Sequence, residues 1–190
     1  MPRKSFDALG WRVDRWTARA ALDLLPENNG PRVEVMRGCV VVTPSGCLYR
    51  RTLQRELGYL LKQAARRAAL WLYHEVNIVF LDAPGGGRTT MEINHAVLLG
   101  EIVSPGNRRK DTIDRPREYA AAGVPFFLRV DLRNRVPTIA LYELTEGEYR
   151  PVAAAAAGTR FVMREPFEFS IDPADLLGEE AAPDQPGAEG

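Results

Sequence analysis

Two cysteines, two histidines and three lysines (Lys4, Lys62 and Lys110, against 22 arginines) leave little material for thiol, imidazole or Schiff-base chemistry in 190 residues. Cys39 and Cys47 stand eight apart and His74 and His95 are isolated, which matches no zinc spacing. No serine, cysteine or histidine arrangement suggests a catalytic triad. Long apolar runs are absent too, and nothing approaches the roughly 20 residues of a membrane-spanning helix, so no membrane partner is expected. The N-terminal MPRKSFDALGWRVDRW lacks the apolar centre of a signal peptide, so the expected location is cytoplasmic and both cysteines are expected as free thiols. Net charge is missing as well, 25 Lys+Arg offsetting 25 Asp+Glu, and decides nothing about nucleic-acid binding or disorder. The balance is uneven, however. Gly178 to Gly190 holds four acids and no base, which leaves residues 1 to 177 at +4.

Apolar spacing predicts a short helix from Thr17 to Leu25, stopped by Pro26 and Asn28-Asn29-Gly30. Arg32 to Met36 and Cys39 to Val42 are β-rich runs joined by Arg37-Gly38, the form of a two-residue hairpin, with Glu34 in a strand. Leu53, Leu57, Leu60, Leu61, Ala64, Ala68 and Leu72 keep helical spacing and predict the longest helix. Glu75 to Leu81 reads as a strand, Ala83 to Arg88 as a loop, and Ala96 to Val103 as a strand apolar enough to be central and buried on both faces. A helix starting at Thr112 or later, with Pro116 in its first turn, stops at Gly123. Pro125 to Leu132, Thr138 to Leu144, Tyr149 to Ala153 and Phe161 to Phe169 predict a closing meander, with a turn at Glu146-Gly147 and one helical turn at Asp172 to Leu177. The acidic tail beyond has no apolar anchor and is expected to be disordered.

Glu101 interrupts the apolar strand. An ionised carboxylate there costs several kcal/mol unless it is paired, protonated or bound to a cation. One reading pairs it with Arg108, Arg109 or Arg115; the other makes it a metal ligand at a strand end. The long helix carries Arg50, Arg51, Arg55, Lys62, Arg66 and Arg67 against Glu56 alone, a stripe that reads either as a solvated face or as a phosphate-binding one. Gly85-Gly86-Gly87-Arg88 lacks the Lys-Ser/Thr of a phosphate loop and reads as a hairpin tip.

The segment GEIVSPGNRRKDTIDRPREYAAAGVPFFLRVDL, Gly100 to Leu132, resembles the bacterial Uma-type family of restriction-endonuclease-like proteins in the PD-(D/E)XK nuclease superfamily. Glu101, Ser104, Pro105, Asp111, Tyr119, Ala122, Gly123 and Pro125 fall in register with its strand-loop-helix motif. PRVEVMRGCVVVTP resembles the entry hairpin, with Glu34 in the place of the first acidic residue, and TIALYELTEGEYRPV and DPADLL resemble the closing strands and end. The likeness runs from about Trp16 to Gly178. It implies a single α/β domain over residues 16–178, a restriction-endonuclease-like mixed sheet of about six to eight strands flanked by helices, with 1–15 as lead-in and 179–190 as tail. It also implies a phosphodiester hydrolase that holds magnesium or manganese on acidic side chains, because hard carboxylate oxygens hold a hard cation that activates water. The implied ligands are Glu34 and Glu101, and a cationic side chain from the next helix meets the transition-state charge.

Three working positions depart from the family pattern. Asn94 stands where the family has an aspartate and supplies no charge, Arg115 replaces the helix lysine, and Arg50 falls where the family has a histidine. These departures imply weak metal binding, if any, and a degraded nuclease; the alternative is a catalytically inactive relative that binds nucleic acid or protein. DNA is the expected partner, held without sequence preference through Arg50, Arg51, Arg55, Arg108, Arg109 and Lys110, and a homodimer is compatible with the reading.

Overall fold

The computed structural model describes residues 32–36, 39–43, 48–74, 77–79, 90–103, 109–133 and 136–177. The 1–15 lead-in, the Thr17–Leu25 helix, the 83–88 loop and the acidic tail lie outside the described residues. The chain divides into two units, Met1–Ser45 and Gly46–Gly190, a division that falls inside the expected 16–178 span.

In the first unit, β1 (Arg32–Met36) pairs antiparallel with β2 (Cys39–Thr43), and Met36 lies opposite Cys39, the register of a two-residue hairpin. Glu34 is the middle residue of β1, opposite Val41.

The second unit begins with α1 (Leu48–Arg67), whose Leu53, Leu57, Leu61, Ala64 and Ala65 form one buried stripe. Helical spacing in the sequence continues to Leu72, but the helix stops five residues earlier. Ala69 takes φ 58°, its N–H reaches the Arg66 carbonyl at 3.1 Å, and the Leu70 N–H reaches the Ala65 carbonyl at 2.9 Å. That pair of bonds is a Schellman stop, which satisfies the last carbonyls and reverses the chain. Leu70 and Leu72 then pack on the core from outside the helix, which explains why their spacing imitates its continuation.

Among the described residues there are ten strands. Four form one mixed sheet in the order β5-β6-β7-β8, where β5 is Leu98–Val103, β6 Phe126–Arg133, β7 Val136–Thr145 and β8 Glu148–Ala156. β5 runs parallel to β6, and the other pairs are antiparallel. β3 (Asn77–Val79) with β4 (Thr90–Glu92) and β9 (Phe161–Met163) with β10 (Phe169–Ile171) make separate two-stranded ladders. The α/β class, mixed sheet and flanking helices match the sequence reading; a single sheet of six to eight strands does not. The expected strand over Phe161–Phe169 is split, because Pro166 in its middle has no N–H to give a ladder.

Apolarity alone puts β5 at the sheet's centre, yet among the described residues β6 is its only neighbour. Its continuous apolarity reports two covered faces instead. Leu98 and Ile102 pack with the α1 cluster, while Leu99 packs on the opposite side with Ile93, Val124, Phe127 and Tyr119 of α2 (Arg115–Ala121). Leu128, Val130, Ile139 and Leu141 continue the α1 side. The regular helix α2 carries Pro116 in its first turn as expected, but a π-helical turn over Lys110–Asp114 precedes it, so helical backbone begins before Thr112. Gly123, at φ 76°, ends α2 with a second Schellman stop, Val124 N–H to Tyr119 carbonyl at 3.1 Å.

The meander turns between β7 and β8 at Glu146-Gly147, φ 53° and 81°, the left-handed pair that a tight hairpin requires. β8 contains a bulge: Leu141 faces Ala153 and Tyr142 faces Pro151, so Val152 is the extra residue. Asp172 Oδ1 accepts from the Ala174 and Gly158 N–H groups, both at 2.9 Å, and starts the 3-10 turn Pro173–Leu177 that buries Leu176. No described helix is long and apolar enough to cross a membrane.

Two predictions arise here. Ala69→Gly removes the cost of a left-handed alanine and should raise unfolding free energy in urea by roughly 0.5–1 kcal/mol. Tyr149 packs beside Phe127 at 5.5 Å, donates its hydroxyl to the Val124 carbonyl at 2.8 Å, and is pushed by burial well above the ordinary phenol value of 10.0. The fold therefore prefers the neutral phenol. That stability is complete below the unfolded value and is lost as pH climbs beyond it. A urea series taken through about pH 10 and above should show the loss, and Tyr149→Phe should shrink it.

Candidate active site

Parallel pairing of β5 with β6 places Glu101 beside Arg129 and turns it toward α2, on the same face as Leu99. From α2 and the turn before it, Asp111, Arg115 and Tyr119 arrive at four-residue spacing, so all three face the strand. The Tyr119 hydroxyl donates to Glu101 Oε1 at 2.5 Å. Arg115 Nη1 donates to Glu101 Oε2 at 2.5 Å and to Asp111 Oδ1 at 3.3 Å. These are not surface contacts: the side chains of Glu101, Arg115 and Asp111 are 10%, 13% and 2% exposed.

Of the two readings of Glu101, the geometry gives the ion pair, with Arg115 as its cation. Charges this deep in the protein lose most of their hydration. Their mutual attraction offsets that cost only where hydrogen bonds saturate the buried oxygens, as they do for both oxygens of Glu101. Arg129 is next to Glu101 on the neighbouring strand and lays its guanidinium over the Tyr142 ring at 5.2 Å. Asp131, buried two residues further on, shares that face opposite Val103.

Asn94 is exposed on the 3-10 turn Ile93–His95 ahead of β5, whereas Glu101 is the fourth residue of that strand, about 10 Å beyond its start. Asn94 is thus outside the cluster. Glu34 belongs to the first unit. Arg50 is half-buried and its Nη2 donates to the Ile102 carbonyl at 3.4 Å, next to Glu101 in the strand. Arg51 and Arg55 are exposed on α1, Arg55 binding its neighbour Glu56 at 2.9 Å. Arg109 is exposed, while Arg108 and the Lys110 side chain lie outside the described residues. Sequence reasoning finds Asp111 and Tyr119 only as motif positions and misses them as partners of Glu101. The available signal is their spacing of four on either side of Arg115.

Chemically, the cluster is two carboxylates sharing one guanidinium, with one oriented by a phenol. Among the described residues, no group of three His, Cys, Asp or Glu side chains is placed to hold a metal ion. Comparison with protein-family models matches residues 78–174, just over half the chain, to the Uma2 family, "Putative restriction endonuclease". No curated protein matches the chain.

Removing either donor tests the cluster. Tyr119→Phe should lower unfolding free energy by about 2 kcal/mol, the worth of a hydrogen bond to a charged group. Arg115→Ala strands two buried carboxylates and should cost roughly 3 kcal/mol or more. Because both act on Glu101, the double variant should lose less than the sum, as read from urea midpoints.

Proposed function

This chain belongs to the Uma2 family, and on that premise we propose that it is a DNA-acting protein of the restriction-endonuclease-like type whose metal site is held closed by Arg115. The observation that carries the reading is the guanidinium seated on both Glu101 and Asp111. A nuclease of this type needs its carboxylates open to a dication, which polarises the phosphodiester and supplies the attacking hydroxide when bound. As they stand, the described residues do not fit magnesium. Both Glu101 oxygens already accept hydrogen bonds. A cation about 4 Å away opposes the metal by about 4 kcal/mol per unit charge at an effective dielectric of about 20.

The lysine that the family resemblance implies at position 115 would behave differently. An ammonium is a point charge on a flexible stem and can retreat to one oxygen, whereas the bulkier planar guanidinium, donating from Nη1 to both Glu101 and Asp111, stays between them. Glu101 then serves to fix α2, and cleavage is weak. DNA is held by phosphate contacts from exposed arginines, among them Arg51, Arg55 and Arg109, without base readout.

Calorimetric titration with manganese and a plasmid-nicking assay test the proposal. The unaltered chain should bind manganese no tighter than about 1 mM and nick supercoiled plasmid only weakly. Arg115→Lys should bind roughly tenfold more tightly and nick, and adding Glu101→Gln should remove both gains. Robust cleavage by the unaltered chain, lost in Glu101→Gln, would overturn the closed site while leaving the hydrolase.

A further inference from the structure

The outward side of α1 and the segment after it form a second surface, away from the Glu101 cluster. At 3.6 residues per turn, Arg51, Arg55, Lys62 and Arg66 project within an arc of about 60°, with Tyr59 at its edge. All five are exposed, on the side of the helix opposite its buried leucines. After the Schellman stop the chain doubles back. Leu70 and Leu72 pack inward, which turns the alternating Trp71 and Tyr73 outward, 76% and 58% exposed. His74 then lies directly on Gly58, where a Cβ would stand 2.0 Å from its Cε1. Gly58 projects next to Arg51 on the helix, so the returning segment runs alongside the cationic stripe.

Among the described residues, Tyr59, Trp71 and Tyr73 are all of the exposed large aromatics; Tyr59 projects from one edge of the cationic stripe, and Trp71 and Tyr73 belong to the segment that returns along its other edge. Helix α1 supplies Glu56 as the only acid, already bound by Arg55. We propose that this surface binds unpaired nucleic acid, its phosphates on Arg51, Arg55, Lys62 and Arg66 and its bases stacked on Trp71, Tyr73 and Tyr59. A positive track beside exposed rings is the arrangement that holds single strands, because every base offers a flat face to an aromatic ring. A duplex hides those faces inside its own stack and offers only edges. A membrane surface is disfavoured because α1 sends its apolar face into the core, whereas an interfacial helix sends that face into lipid. The inference rests on the nucleic-acid reading above and narrows it to a strand already open, held on the outer surface of α1, away from the Glu101 cluster.

Fluorescence anisotropy on the full chain decides it, with an oligothymidylate of about 12 nucleotides and a duplex of the same length at about 50 mM salt. The single strand should bind at least about tenfold tighter. Trp71→Ala should weaken it roughly tenfold and leave duplex binding unchanged, while Trp71→Phe, which keeps a ring, should restore most of the loss. Lys62→Ala with Arg66→Ala should lower the salt slope by about 1.4 for the two lost phosphate contacts. These exposed positions should leave the urea midpoint in place, which separates lost binding from lost folding. Equal affinity for both probes, or a Trp71→Ala effect below about twofold, would overturn the stacking surface. Capture by phosphatidylserine vesicles without oligonucleotide binding would overturn it in favour of a lipid surface. Plasmid nicking by Arg115→Lys is measured separately, so either proposal can fail while the other stands.

Discussion

The contact of the Arg115 guanidinium with Glu101 and Asp111 joins a strand, a π-helical turn and a short helix, beside the apolar packing of Tyr119 on Leu99, Val124 and Phe127. Helix α2 has seven residues, well below the length at which a helix persists by itself in water. Tyr119 is its buried side chain, and Tyr119 also bonds Glu101. The carboxylate in β5 is therefore the point from which α2 is hung. Its own burial is tolerable only because the helix supplies its partners, so strand and helix are mutually dependent through a few polar atoms.

That dependence follows from topology. β5 and β6 are parallel, so the chain must travel back along the sheet between them, and it does so through the turn and helix that carry Asp111, Arg115 and Tyr119. A side chain toward the carboxyl end of β5 meets that returning segment at once. Sites in open α/β sheets form at the carboxyl ends of parallel strands for this reason, and the Glu101 cluster lies toward that end of the one parallel pair in the four-stranded sheet. The opposite face is closed by α1, whose outer surface is thereby left to whatever the solvent contains.

Much of this is legible in the residues because local rules and tertiary structure agree. Gly123 ends α2, Glu146-Gly147 turns the meander, and the α1 leucines mark its buried side. Where the residues mislead, one signal has two physical sources. The Leu72 spacing comes from a chain doubling back over the same core, and the apolarity of β5 comes from helices on both faces, not strands at both edges. The strand ladder breaks at Pro166 where alternation alone predicts continuity. At the site, charge arithmetic flags Glu101 and names Arg115 as one of three candidate partners, but nothing in the sequence ranks a cation fourteen residues away above its rivals. That choice belongs to the path of the backbone. Asn94 shows the same limit: its place in a motif suggests proximity to Glu101, and a 3-10 turn puts it ahead of the strand instead.

The bulge in β8 bears on how these molecules behave in company. An outer strand with a regular ladder is a template on which a second copy can lay its own strand, and then a third. In β8 the regular repeat fails at Val152, and Pro151 beside it contributes no donor to any neighbour. A strand arriving at that edge falls out of step within a few residues, so sheet growth from molecule to molecule stops where it would begin.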